Sequence, residues 1–178
     1  ETRGPGIFSI FAAADAARRQ QAGDVITYVR NQNVHITNIC KNLCGFCGFG
    51  KRPDDADAYC NDREEIRKKV ALAVERGVTE ICLLSGVHPD FDLGTYEDIL
   101  RLVSETAPGV HIHAFSPDEV SHASNRSQVR TSDVLRRMKE AGLGSLQGTA
   151  AEILVDEVRD VICPNKIRTG AWREIIEQ

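Results

Sequence analysis

Short apolar runs alternate with helical patterns along most of this chain, and that alternation limits the folds open to it more than any other feature. Asn33 to Thr37, Ile81 to Leu84, Val110 to Phe115 and Ser145 to Gly148 read as strands. Ile66, Val70, Ala73 and Val74 recur at helical spacing, as do Tyr96, Ile99, Leu100 and Val103, and then Val134, Leu135 and Met138. Asp62 with Glu65 three residues on forms a capping-box pattern, and Gly77, Pro108-Gly109 and Gly142 close helices. Ala151 to Ile162 is expected to be a further helix, ended at Cys163-Pro164 because proline disfavours helical backbone in the residue before it. Ser121 to Thr131 is polar and expected to be loop, and alanine-rich Ile7 to Arg19 predicts a leading helix. Such alternation means parallel strands joined by helical crossovers. The expected class is α/β, a partial (β/α) barrel of about four βα units of an incomplete TIM-like barrel. Residues 1–32 form a helical lead-in and 33–178 the N-terminal part of the barrel. Four strands do not close a barrel and the pattern from Ala171 to Gln178 stops midway, so the rest of a larger enzyme is expected elsewhere.

In a barrel of parallel strands the functional loops lie at the carboxyl ends of the strands. Ser85-Gly86-Val87-His88, Ser116-Pro117 and Gly148-Thr149 fall there, and so does a loop carrying Cys40, Cys44 and Cys47 as CxxxCxxC. Thiolates hold iron–sulfur clusters, and a cubane cluster takes four ligands. The loop supplies three, which leaves one iron for a non-protein ligand. The glycine-bearing run Cys44-Gly45-Phe46-Cys47-Gly48 bends freely enough to reach three corners of one cube. A zinc site with Cys60 as fourth ligand is the alternative, but structural zinc sites usually pair cysteines on both sides and Cys60 has no such partner. A disulfide framework needs a small secreted chain. Cys60, Cys82 and Cys163 read as buried or capping residues, since free cysteine behaves as a small hydrophobe.

The net charge is −4 with no lysine or arginine block, which argues against nucleic acid as a partner. No apolar run reaches the roughly 18 residues of a membrane span. Glu1 to Gly6 shows neither an initiator Met nor a signal-peptide plan, and a thiol-rich, oxygen-sensitive loop implies a reducing cytoplasm. His111 and His113 share one face of a strand, either as substrate or proton-transfer groups or as satisfied core histidines. His88 ends a strand. Glu119 and Glu152 follow strand ends, where each suits an amino or ribose group and equally a first-turn carboxylate favoured by the helix dipole. Met138 reads as core and Trp172 as helix packing.

A longer set of residues carries a resemblance: Gly23 to Val29, Asn38 to Cys47, His88-Pro89-Asp90, His111 to Pro117, Ala150 to Leu154 and Ile162 to Lys166. In this order they resemble one branch of the radical S-adenosylmethionine (SAM) superfamily. That branch contains the tyrosine-condensing subunit of FO synthase and two menaquinone-pathway enzymes, aminofutalosine synthase and dehypoxanthine futalosine cyclase. The run Gly148 to Ile153 and the stretch Pro53 to Tyr59 resemble the FO synthase version.

The resemblance implies a radical SAM barrel, a 4Fe-4S cluster on Cys40, Cys44 and Cys47, and SAM on the open iron. It implies a transferase that joins a 4-hydroxybenzyl group from L-tyrosine to 5-amino-6-(D-ribitylamino)uracil in deazaflavin synthesis. An electron donor such as ferredoxin or flavodoxin and a partner FO synthase subunit are implied as well. Phe49, Ser85 and Gly86 are expected to lie against SAM, with Ser116, Glu119 and Glu152 as further cofactor contacts. The chain departs from the family at Ser85, where a glycine is usual, and at Gln147, where a proline is usual. A menaquinone-pathway enzyme is the alternative within the branch, and a non-catalytic zinc-binding module the alternative outside it.

Overall fold

The computed structural model describes residues 6–149 and 151–178. Readings placed on residues 1–5 and on Ala150 lie outside the described residues. Helix α1 (Gly6–Ala22) leads into β1 (Asn31–Thr37), followed by α2 (Arg63–Glu75), β2 (Glu80–Ser85), α3 (Leu93–Thr106) and β3 (His111–Ala114). Then come α4 (Pro117–Ser127), α5 (Thr131–Glu140), β4 (Ser145–Leu146), α6 (Asp156–Ile162) and α7 (Thr169–Glu177). The strands form one sheet in the order β1-β2-β3-β4, and every neighbouring pair is parallel.

Strand alternation gives the sheet two different faces. Val34 and Ile36, Ile81 and Leu83, Ile112 and Ala114 point to one side and are each at most 3% exposed. They join Val70 and Ala73 of α2, Leu100 and Val103 of α3, and Val134 and Met138 of α5 in a single core. The other face carries Asn33, His35, Cys82, Leu84, His111, His113 and Ser145, most of them half-buried. His111 Nε2 and His113 Nδ1 share the Ser145 hydroxyl at 2.8 and 2.7 Å, so both histidines are satisfied within this face.

Two expected elements change. The segment expected to be loop from Ser121 is helical as far as Ser127, because α4 starts at a capping box. Ser116 Oγ accepts from Glu119 N, and the Glu119 carboxylate accepts from Ser116 N at 2.7 Å, with Pro117 in the first turn. Val120 and Ala123 are its only buried aliphatic residues beyond the first turn, too thin a stripe to read as periodicity. The helix expected from Ala151 begins only at Asp156. Arg159, 2% exposed, donates to the carbonyls of Ala151 (2.9 Å), Ile153 (3.2 Å) and Ile167 (2.7 Å), so the chain wraps the guanidinium where a helix would need those carbonyls. Val74 of the helical stripe is exposed on α2, and of the cysteines read as buried or capping, Cys163 is buried whereas Cys60 is exposed, on an isolated bridge to Thr37.

Candidate functional site

The carboxyl ends of the strands open on one cavity of about 250 Å³. Cys40, Cys44, Cys47, Phe49, Ser85, Gly86, Ser116, Glu119 and Glu152 all line it. His88, His111 and His113 do not. His88 instead stacks on Phe91 at 4.5 Å and accepts a hydrogen bond from Asp90 N.

The cysteine loop is anchored from several directions. Cys40 N donates to Lys51 O (3.0 Å), Lys41 N to Val87 O (2.9 Å) and Gly45 N to Ile162 O (2.9 Å). At its root Asn38, 5% exposed, donates from Nδ2 to Asp57 O and accepts from Tyr59 N, which ties down the polar run after the loop. A Cβ on Gly50 would lie 3.4 Å from Cys40 Cβ and 4.0 Å from Cys47 Sγ, so these two cysteines flank that glycine. Cys44 is buried, and burial pushes its thiol up to about 11. Metal ligation reverses that preference, because a coordinating thiol is deprotonated.

Among the described residues no three His, Cys, Asp or Glu side chains gather around a point that holds a single ion. A cubane cluster instead spreads its thiolates over separate irons. Three free thiols on one loop line one cavity wall, a donor set that suits such a cluster. Cys60 lies outside the cavity.

The end of β2 forms the next wall. A Cβ on Gly86 would come within 2.4 Å of Ile39 O and 2.9 Å of Cys40 Cβ, so only glycine lets β2 seat against the cysteine loop. Ser85 Oγ donates to Gly86 O at 2.7 Å. Phe49 packs on His35 with ring centroids 5.2 Å apart.

Opposite lies the start of α4. Asp118, 3% exposed, accepts from Asn42 Nδ2 at 2.8 Å, which joins α4 to the cysteine loop. Burial raises the Asp118 carboxyl, although the nearby Lys166 and Lys41 oppose this. Burial pushes Glu119 up to about 8 against the opposing hydrogen bonds from Ser116, and Asp118 adds to the rise. Asn42 Oδ1 and Glu119 Oε1, in two residues that line the cavity, are buried without a hydrogen-bond partner. Glu152, on a left-handed backbone (φ 35°), pairs with Lys166, whose ammonium sits 5.4 Å from the Phe46 ring centroid.

Asn42, Asp118, Gln147 and Lys166 line the cavity without having been singled out as ligands from sequence. Asn42 and Asp118 had a signal, one inside the cysteine loop and the other beside Glu119 in a capping box. Lys166 reaches the site only through the fold. Gln147 departs from the family's proline and makes bonds a proline cannot. Its N–H donates to Phe115 O at 2.8 Å and its side-chain amide to Leu83 O at 2.7 Å, which lashes β4 to β2 across β3.

The family model of the radical SAM superfamily matches residues 34–178. A curated protein of Methanosphaerula palustris, named 5-amino-6-(D-ribitylamino)uracil--L-tyrosine 4-hydroxyphenyl transferase, is 55% identical over 178 residues, covering 100% of this chain and 49% of its own length. The protein of that name from Methanoculleus marisnigri is 52% identical, covering 99% of this chain and 48% of its own. The chain thus spans about half the length of the curated relatives it matches. Among solved structures, the FeFe-hydrogenase maturase of Carboxydothermus hydrogenoformans shares the fold with a TM-score of 0.71 at 20% identity, over 98% of this chain and 39% of its own. Methylornithine synthase does so with a TM-score of 0.64 at 19% identity, over 98% and 48%.

Proposed function

This chain belongs to the radical SAM superfamily, and from that premise we propose that it is the cofactor-binding part of an enzyme that joins a tyrosine-derived 4-hydroxybenzyl group to 5-amino-6-(D-ribitylamino)uracil. The observation that carries the reading is one cavity lined by all three loop cysteines and walled by the ends of β2, β3 and β4. The names of the archaeal and cyanobacterial relatives, at 44–55% identity, support the substrates. The reading places the enzyme in the cytoplasm, supplied by a small electron-transfer protein and working with a second FO synthase subunit. Among the described residues no helix is long and apolar enough to cross a membrane.

In this reading Cys40, Cys44 and Cys47 hold a 4Fe-4S cluster, and the cluster with SAM supplies the one-electron chemistry. The chain's own residues bind and orient. Gly86 clears the backbone beside the cysteine loop, and Ser85 sits at the rim of that opening. Asn42 Oδ1 offers an acceptor. Glu119, protonated below about pH 8, offers both a donor and an acceptor to a hydroxyl or amino group. Phe49 and Phe46 line the cavity beside the loop.

The test is anaerobic loading with iron and sulfide of Cys→Ala variants. Cys40, Cys44 and Cys47 variants should each lose nearly all the iron, and a Cys60 variant should keep it. A Cys60 variant as empty as the Cys44 variant would overturn the three-ligand assignment. The whole enzyme, given tyrosine, the ribitylaminouracil and reductant, should yield deoxyadenosine and the hydroxybenzyl-uracil adduct. Deoxyadenosine formed only with menaquinone-pathway substrates would reassign the chemistry.

A further inference from the structure

The cavity wall is rich in carboxyl and thiol groups. It holds three carboxyl side chains, Asp118, Glu119 and Glu152, besides the three thiols, and Lys166 is the single lysine or arginine among the described residues that line it. Its side chain is 13% exposed, far below the usual exposure of a lysine. The segment that carries it is clasped to the cysteine loop: Gly45 N donates to Ile162 O at 2.9 Å, and Asn165 Nδ2 donates to Asn42 O at 3.1 Å. The ammonium is held between the Glu152 carboxylate and the face of Phe46, the residue just before Cys47.

We propose that Lys166 is the electrostatic positioning residue of the iron–sulfur centre. Its cation, fixed beside the loop by Phe46 and Glu152, raises the reduction potential of a cluster held by Cys40, Cys44 and Cys47. The inference rests on the cluster assignment above. The physical reason is Coulombic. Reduction adds one negative charge to a centre that already carries three thiolates, and a cation fixed beside the loop that holds it favours that added charge. Glu152 takes one of the three ammonium donors, so it holds the cation in place and partly neutralises it.

The experiment loads the full chain anaerobically with iron and sulfide, without SAM. It reads iron per chain, then the midpoint potential of the cluster by mediated titration. Lys166→Met should shift the oxidised-to-reduced ratio at a fixed potential about tenfold toward oxidised, which is about 59 mV for a one-electron couple. Lys166→Arg should recover most of the shift. Glu152→Gln, which keeps the cation and removes its counter-charge, should shift the ratio the other way. A loaded Lys166→Met protein with the wild-type potential overturns the proposal, and so does an equal shift in the Met and Arg variants. If Lys166→Met takes up no iron, Glu152→Gln decides, and an unchanged potential there overturns it. Failure of the wild-type chain to take up iron would instead sink the cluster assignment, a separate outcome.

Discussion

Helices α2 and α4 begin in the same way and serve different ends. Each opens on a capping box, Asp62 with Glu65 in α2 and Ser116 with Glu119 in α4. Each also closes on a left-handed residue, Gly77 after α2 and Gln128 at the end of α4. Around α2 the box faces solvent, and its carboxylates only satisfy backbone N–H groups and meet the helix dipole. Around α4 the same arrangement is sunk into the cavity wall, with Ser116 7% and Glu119 4% exposed. There the carboxyl still caps the helix through one oxygen, while the other is left without a partner beside the cavity. The sequence motif sets the cap, and burial turns one of the two caps into a candidate ligand.

The sharpest way to break this contrast is pH. The folded chain keeps a proton on Glu119 up to about pH 8, whereas the unfolded carboxyl releases it near 4.5. Across that window the unfolded state binds fewer protons, so stability should fall as pH rises from about 4.5 to about 8 and then level off. The drop should be on the order of 5 kcal/mol, with raised Asp118 adding a contribution of the same sign. Urea midpoints measured across this range check it, and Glu119→Gln should flatten most of the slope. A slope that survives in Glu119→Gln would show that the carboxyl is not the group being protonated.

Truncation comes next in size. Glu119→Ala leaves a buried Ser116 N–H without its acceptor and should cost about 2–3 kcal/mol, against roughly 0.5–1 kcal/mol for Glu65→Ala at the solvent-facing box. Equal losses by chemical denaturation would erase the distinction between the two helices.

The smallest effects lie at the other ends. Gln128→Gly should stabilise α4 by about 0.5–1 kcal/mol, because glycine adopts the φ of 54° without a Cβ penalty. Gly77→Ala should cost α2 about 1 kcal/mol, since its φ is 71° and the added Cβ would lie 3.4 Å from the Arg30 guanidinium. Thermal melting of the two variants compares them, and shifts of the same sign would contradict the reading.

The same contrast separates what could be read early from what could not. The α2 box was legible because an apolar stripe, Ile66, Val70 and Ala73, follows it at helical spacing. The α4 box carries no such signal, because the helix behind it buries polar residues, among them His122, Asp118 and Glu119 themselves. The expected helix from Ala151 failed for a related reason. Its propensity was overridden by Arg159, a buried cation whose need for carbonyl acceptors no local pattern records.

By itself the sequence determined the alternation of strands and helices, and hence a parallel sheet with its loops at one end. It also determined the three-cysteine spacing, because periodicity and short-range thiol spacing are local properties. The tertiary structure alone decided which polar residues reach the cavity. Lys166 meets Phe46 from 120 positions away in the chain, and Asp118 meets Asn42 across a separation of 76 residues. It also decided which carboxyls lose their water. Burial and long-range pairing depend on how the whole chain packs, and that packing is what makes one of two like caps part of a site.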